Sequence, residues 1–545
     1  MKNNSDTNFS LASLGLTRRQ VMLAPALIGL GMTAGVANFA MAQTNPNVMG
    51  TGTPKRGGVL NRRLIGDPPS FDTLESAAGW VMYTTSPCYN ALVRYAEQDS
   101  EKIIPDLAES YELSSDGKAY TFHLRKGVKF HDGKPFTAED VKFTFDVIRD
   151  PPKGYVSVRA KMLGAIDSII VVDPYTVRFQ LKRKSPSLLA NLASGWMMVL
   201  PKHILEKGPM KDVIVGTGPF KFKEYKRGVS IELVRNTEYH IPGRPYLDAI
   251  KLFVIPDENT AYNYFRNVQL DEWVPGSSVA RTREKELADK AYLLATPSTS
   301  ALTLQFNTKE KPYDDIRVRQ AICLAINRQE ALNIAFGGEG LPGGFSMPGK
   351  WALPKAQLEK IPGYAPFKES NLAQAKALLT AAGFPNGFKE SMLVRRIPIY
   401  EPHAIYLKDQ LMKIGIDLRL DFQETAAYTE SMRKRAWKLE AGSRSAVVND
   451  PDAMYTDTVP CEGSANQAKL CDPKIDDLVL RQSQEFDEKK RIALVNELET
   501  NVLSQYGEYP MYFRNRFRMF QNNVHAWGLH PNEDNVMHLE NCWKS

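Results

Sequence analysis

Two pairs of adjacent carboxylates, Asp314-Asp315 and Asp476-Asp477, carry the residue type that general acid–base catalysis uses. Each pair falls where a helix is expected to start, and capping exposed N–H groups accounts for both. His131 and Asp132 precede Gly133, which is the pattern of a surface turn. The chain has no G-x-S-x-G, no H-E-x-x-H and no nucleophile beside an assigned base. Its eight histidines include no close pair at metal-ligand spacing, and no cysteine spacing resembles a zinc or redox site. No metal and no cofactor are therefore expected, and a hydrolase stands only as the alternative from another class. Arg395, Arg396 and Arg444 offer binding chemistry instead, because a guanidinium fork matches a carboxylate geometrically.

The elements that must position these groups read as mixed α and β. Residues 216–240 (GTGPFKFKEYKRGVSIELVRNTEYH) spell a glycine-proline turn, a strand, a basic turn at Gly228 and a second strand. Gly216 and Gly218 are expected to supply backbone angles that side chains forbid. GTGP lacks a third glycine and runs into a strand, so it is no dinucleotide loop. Residues 103–146 give two strands around Ser115-Asp116-Gly117, then a helix capped by Thr137 with Asp140 at its third position. Strands follow at 176–181, 249–255 and 301–309. A later helix opens at Asn327 and closes at Gly337-Gly338. In the helix after Ser370, residues Leu372, Ala375, Leu378 and Leu379 point inward. In the one after Phe486, Ile492, Val495, Leu498 and Val502 do so.

The chain opens on a targeting pattern. Thr17-Arg18-Arg19-Gln20-Val21-Met22 resembles a twin-arginine export motif, an apolar run covers 23–39, and Ala40-Met41-Ala42 suits cleavage before Gln43. The run is short, glycine-rich and without a stop sequence, so a cleaved signal over 1–42 is expected rather than a membrane anchor. No cysteine near that point offers a lipoprotein anchor, and the mature protein is expected in the periplasm. The formal net charge of +7 is mild for 545 residues, with acids and bases interspersed, so nucleic acid is not an expected partner. Five cysteines in an exported chain leave at least one unpaired or linked to another chain. Cys461 and Cys471 bracket a short polar loop, and a disulfide between them is the favoured reading. Cys323 and Cys88 read as buried thiols on apolar helices, and a Cys88–Cys542 bridge stays open.

The order and spacing of 216–240, together with 57–73 (GGVLNRRLIGDPPSFDT) and 103–146, resemble the family 5 solute-binding proteins, the extracytoplasmic receptors of ABC importers. The resemblance runs over nearly the whole mature chain. It implies an α/β, two-lobed periplasmic-binding-protein fold of the large peptide-binding class, with a hinge between lobes. Lobe one would cover 43–299, with an extra subdomain around 85–215; lobe two 300–508; and 509–545 would return to lobe one. It implies a monomer that captures a peptide or other polar organic solute and delivers it to a permease with its ATPases. It also strengthens the Cys461–Cys471 pairing. Nickel-chelate, sugar and opine receptors of the same family are the alternatives in ligand.

In such receptors the solute lies between the lobes. The resemblance places Trp80, Tyr83, Trp196 and Met197 in cleft-lining segments of lobe one. It places Arg395, Arg396, His403, Arg444 and Asp450 near the cleft wall of lobe two. Peptide-binding relatives carry an amine-binding aspartate three residues before a D-P-D element. Here that element is Asp450-Pro451-Asp452 and the matching position is Val447, which cannot pair with an ammonium. The three arginines point instead to an anionic or carboxylate-bearing solute, for which Arg444→Ala is expected to weaken binding at least tenfold.

Overall fold

The computed structural model describes residues 52–528 and 530–545. The leader reading falls on 1–42 and lies outside the described residues.

Three sheets organise the chain. The first is built on the 216–240 hairpin. Phe220–Lys226 and Ser230–Arg235 pair antiparallel around Gly228, which has φ +72°. Ala249–Val254 adds to them, and Val59–Leu64 lies parallel to it at the edge. Gly216 and Gly218 act differently from expectation, because neither has a positive φ. A Cβ on Gly216 would lie 2.1 Å from the Cys88 carbonyl oxygen, and one on Gly218 2.4 Å from the Cys88 carbonyl carbon. These glycines permit close approach of two backbones rather than a special turn angle.

The second sheet is antiparallel, in the order Ala108–Leu113, Ala119–Leu124, Thr176–Leu181, Ile166–Asp173. Helix Ala138–Arg149 packs on it through Phe145, whose ring stands 5.5 Å from Phe179. The helix starts as its sequence demands, with Asp140 accepting the Thr137 backbone N–H at 2.9 Å. Alternation leaves Tyr111 and Leu113 on one face of this sheet beside Tyr120, which is paired opposite Leu113.

The third sheet has seven strands and holds the molecule together. Its two longest strands, Ala291–Phe306 and Glu508–Gln521, run antiparallel side by side. Their pairing shifts register between Pro297 and Ala301. Beyond that break they join Leu439–Ser445, Phe388–Arg395 and Ile416–Gln423, which are parallel to one another. Two large hydrophobic cores result. One includes Leu60, Phe122, Phe179, Leu233 and Trp527. The other includes Leu304, Ile322, Val394, Leu407 and Val495. The two-lobed α/β architecture expected from the sequence is the one observed, with the paired long strands as the crossings.

Cys461 and Cys471 are bonded, and Cys88, Cys323 and Cys542 are free and buried, so no Cys88–Cys542 bridge exists. Cys323 sits on a helix as read, whereas Cys88 ends a short 3-10 turn, Ser86–Cys88. Opening the small disulfide loop by Cys461→Ala with Cys471→Ala is expected to lower stability by roughly 2–3 kcal/mol. Urea unfolding of the oxidised protein and the double variant checks this.

Candidate functional site

The strands Phe388–Arg395 and Leu439–Ser445 end at the same edge of the third sheet, the edge where open α/β sheets bind ligands. The loop that leaves Ser445 then meets the first lobe. Val448 is fully buried in the first lobe's core. The Val447 carbonyl accepts Asn532 Nδ2 at 2.8 Å and Asn535 Nδ2 at 3.3 Å. Asn449 Nδ2 donates to Glu101 at 3.2 Å.

Asp450 sits at the centre of this contact. It caps helix Pro451–Tyr455 by accepting the Asp452 N–H. Its carboxylate also takes two bonds from Arg491, at 3.0 and 2.8 Å, and one from the Ser187 hydroxyl, at 2.6 Å. Arg491 donates in turn to Ser187 Oγ at 2.7 Å. Arg491 and Asp450 belong to the second lobe and Ser187 to the first, and all three are buried. Burial and the charge of Asp450 push the neighbouring Asp452 carboxyl up, while Arg491 opposes that. At the rim, Lys161 pairs with Asp457 at 2.8 Å and Arg183 donates to Ser483 at 2.7 Å. The lobes are closed on one another.

Between them lies a cleft of about 390 Å³. The first lobe contributes Tyr95, Glu101, Tyr111, Tyr120 and Leu189; the second contributes Lys350, Trp351, Asn449, Phe486 and the Asp450–Arg491 pair. That volume is in the range of small-molecule sites. A larger space of about 450 Å³ lies wholly in the second lobe, lined by Pro342, Pro348, Pro354, Leu358 and Phe367. Only the first is walled by both lobes, so only it changes when they move, and it is the candidate site.

Of the residues singled out in the sequence, Asp450 alone lines this cleft. Arg444 does not. It pairs with Glu508, its Nε 2.8 Å away, and its guanidinium lies 3.7 Å from the Phe345 ring centroid. Arg396 pairs with Glu424 at 3.2 Å, and Arg395 donates to Thr425 Oγ1 at 3.1 Å. His403 is fully buried in the second lobe, hydrogen-bonded to Tyr512 at 2.9 Å, and burial lowers its pKa to about 4. In the first lobe Met197 is fully buried and Trp196 donates to Asp534 at 3.1 Å. Tyr83 accepts from Arg518 at 3.2 Å. Trp80 is half-buried, with an enclosed indole N–H that has no partner among the described residues. The case for a carboxylate-bearing solute loses its support here, because two of the three arginines already hold carboxylates.

Alternation at Tyr111 and Leu113, with Tyr120 across the turn, is a signal for an apolar sheet face, but it does not show what that face meets. Glu101, Lys350 and Trp351 carried no signal, since each sits in a loop or edge strand of ordinary composition. Among the described residues no group of histidine, cysteine and carboxylate side chains is placed to hold a metal, and no helix is long and apolar enough to cross a membrane.

One buried acid in the second lobe gives the protein a pH signature. Glu440 is fully buried, and burial pushes its pKa up to about 8 although the Tyr428 hydroxyl donates to it at 2.6 Å. An unfolded glutamate titrates near 4.3. Folding therefore favours the protonated form; this contribution is full below about pH 4 and is lost as pH rises towards 8. Glu440→Gln is expected to flatten the stability profile over that range, and to be the more stable protein at pH 9 by on the order of a few kcal/mol. Thermal unfolding across pH checks it.

Two lobes, two adjacent crossing strands and a cleft walled by both define a binding receptor that closes on its solute. The family model for bacterial extracellular solute-binding proteins, family 5 (middle), matches residues 102–466. The chain belongs to that family. Oligopeptide-binding protein AppA of Bacillus subtilis is 27% identical over 96% of this chain and 98% of its own length. AgaA of A. tumefaciens R10, solved with agropinic acid, superposes with a TM-score of 0.75 at 27% identity, over 90% of this chain and 99% of its own. DppA of Helicobacter pylori, solved with the peptide STSA, gives 0.75 at 26%, over 90% and 98%.

Proposed function

We propose that this chain is the periplasmic receptor of an ABC importer, which takes a short peptide or a peptide-sized polar solute into the cleft between its lobes. It then presents the closed complex to a permease and its ATPases. The observation that carries this is the cleft of about 390 Å³ whose walls come from both lobes, with aromatic rings on each side and charged groups among them. Relatives named for peptide binding favour a peptide, and AgaA with agropinic acid keeps an opine open as the second reading.

In this reading residues 1–42 are a cleaved twin-arginine signal, lobe one covers 43–299 and 509–545, and lobe two covers 300–508. The receptor works as a monomer and turns over nothing. A thermal-shift screen against di- and tripeptides, opines, sugars and nickel chelates tests it. Ligand at a hundred times Kd adds about 2.7 kcal/mol, a shift of several degrees. A shift with peptides alone supports the first reading, one with opines alone the second, and turnover of any bound compound contradicts both.

A further inference from the structure

The charges of the cleft do not balance. Asp450 and Arg491 cancel each other and are both committed, to one another and to Ser187. What remains on the wall is Glu101, Glu485 and Glu488 against Lys350. Lys350 itself leans on Glu488 at 2.5 Å and stands 4.0 Å from Glu101. Glu101 is half-exposed and faces the cleft with one amide bond, from Asn449 at 3.2 Å. An ionised carboxylate has about four acceptor sites, so Glu101 retains room for two or three more donors.

The rings around it reinforce the same sign. Tyr95, Tyr111, Tyr120, Trp351 and Phe486 line the cleft. The cleft already attracts cations to one of these faces: Lys350 Nζ lies 4.7 Å and the Arg491 guanidinium 5.0 Å from the Trp351 ring centroid. Aromatic faces are negative and attract a positive group within about 6 Å. Low-dielectric walls of one sign focus the field on what enters between them. An anionic solute would meet three carboxylates and no free guanidinium.

Resting on the receptor reading above, we infer that the solute carries a cationic nitrogen, an ammonium or guanidinium group, and that Glu101 of the first lobe is the residue that binds it. Closure completes the subsite. Asn449 arrives from the second lobe to orient the Glu101 carboxylate, and Trp351 arrives to cover the positive group. For a peptide the group bound is its free amino terminus or a basic side chain.

The test uses the full mature protein and two probes: a mixed dipeptide library, and the same library after exhaustive N-acetylation. Affinity is read by competition native mass spectrometry on wild type, Glu101→Gln and Lys350→Met. Glu101→Gln removes the charge and keeps an acceptor for Asn449, so its unliganded Tm should match wild type. The expected result has three parts. The free library binds at least tenfold more tightly than the acetylated one. Glu101→Gln loses at least tenfold towards the free library. Lys350→Met, relieved of a competing cation, binds it at least as tightly as wild type. Equal binding of both libraries by wild type, or undiminished binding by Glu101→Gln, overturns the inference and leaves the peptide receptor standing. Binding of neither library overturns both.

Discussion

Arg491→Met is expected to cost the closed protein about 3–5 kcal/mol, the largest effect of any single change at the interlobe contact. The reason is the company the side chain leaves. Asp450 and Asp452 are buried beside it, 2.8 and 3.7 Å from Arg491 Nη2, and removing the guanidinium strands both acids away from water. Arg491 also donates to the Gln482 carbonyl at 3.1 Å, so the second lobe loses an internal tie as well. The loss should therefore appear in two measurements. Urea unfolding will show lower stability, and small-angle scattering will show a larger radius of gyration as the lobes part. Ser187→Ala separates the two effects. It removes the first lobe's share of the Asp450 cluster and leaves the Asp450–Arg491 pair intact. It should open the lobes with a stability loss of only about 1 kcal/mol. A radius unchanged in both variants would mean that this cluster does not hold the lobes together.

The second large effect belongs to Glu499. This carboxylate is fully buried and accepts three backbone N–H groups, from Phe345 at 2.6 Å, Ser346 at 3.0 Å and Leu353 at 2.8 Å. It pins both ends of the loop that carries Lys350 and Trp351 into the cleft. Glu499→Ala orphans all three donors, each costing about 1–3 kcal/mol when left enclosed. The expected loss is at least about 3 kcal/mol, with solute binding weakened because the Trp351 wall is no longer held. Burial pushes the Glu499 pKa up to about 7 against the three N–H bonds. That value lies above the unfolded one, so its contribution to stability is full below about pH 4 and declines as pH rises to 7. Unfolding and ligand titration of Glu499→Ala test both claims; a stable variant that binds normally would refute the anchoring role.

These two residues show what the sequence could and could not reveal. The helix Glu488–Ser504 was legible from its apolar spacing, and Val495 and Leu498 are buried as that spacing implies. Arg491 and Glu499 fall on the same inner face, i and i+8, yet their polarity argues for solvent. Nothing local shows that Asp450, about forty residues away, and the 345–353 backbone supply their partners. The caps at Thr137, Asn327 and Asp315 were legible because they are local. The 216–240 hairpin was legible for its strands, whereas the packing role of Gly216 and Gly218 depends on Cys88, over a hundred residues upstream. The site was the least legible part. Arg444 and His403 have the right chemistry for a ligand, but Glu508, Phe345 and Tyr512 claim them through strand register that no short motif encodes.

The most direct test of the central claim is native mass spectrometry of the full chain expressed in its own exporting host and purified without denaturation. The account predicts a mature mass with residues 1–42 removed, plus a retained peptide or amine-bearing solute that dissociates on activation and is lost from the Arg491→Met protein. A bound mass that proves to be an amine-free acid or sugar, or a chain that binds nothing from host extract, would contradict it.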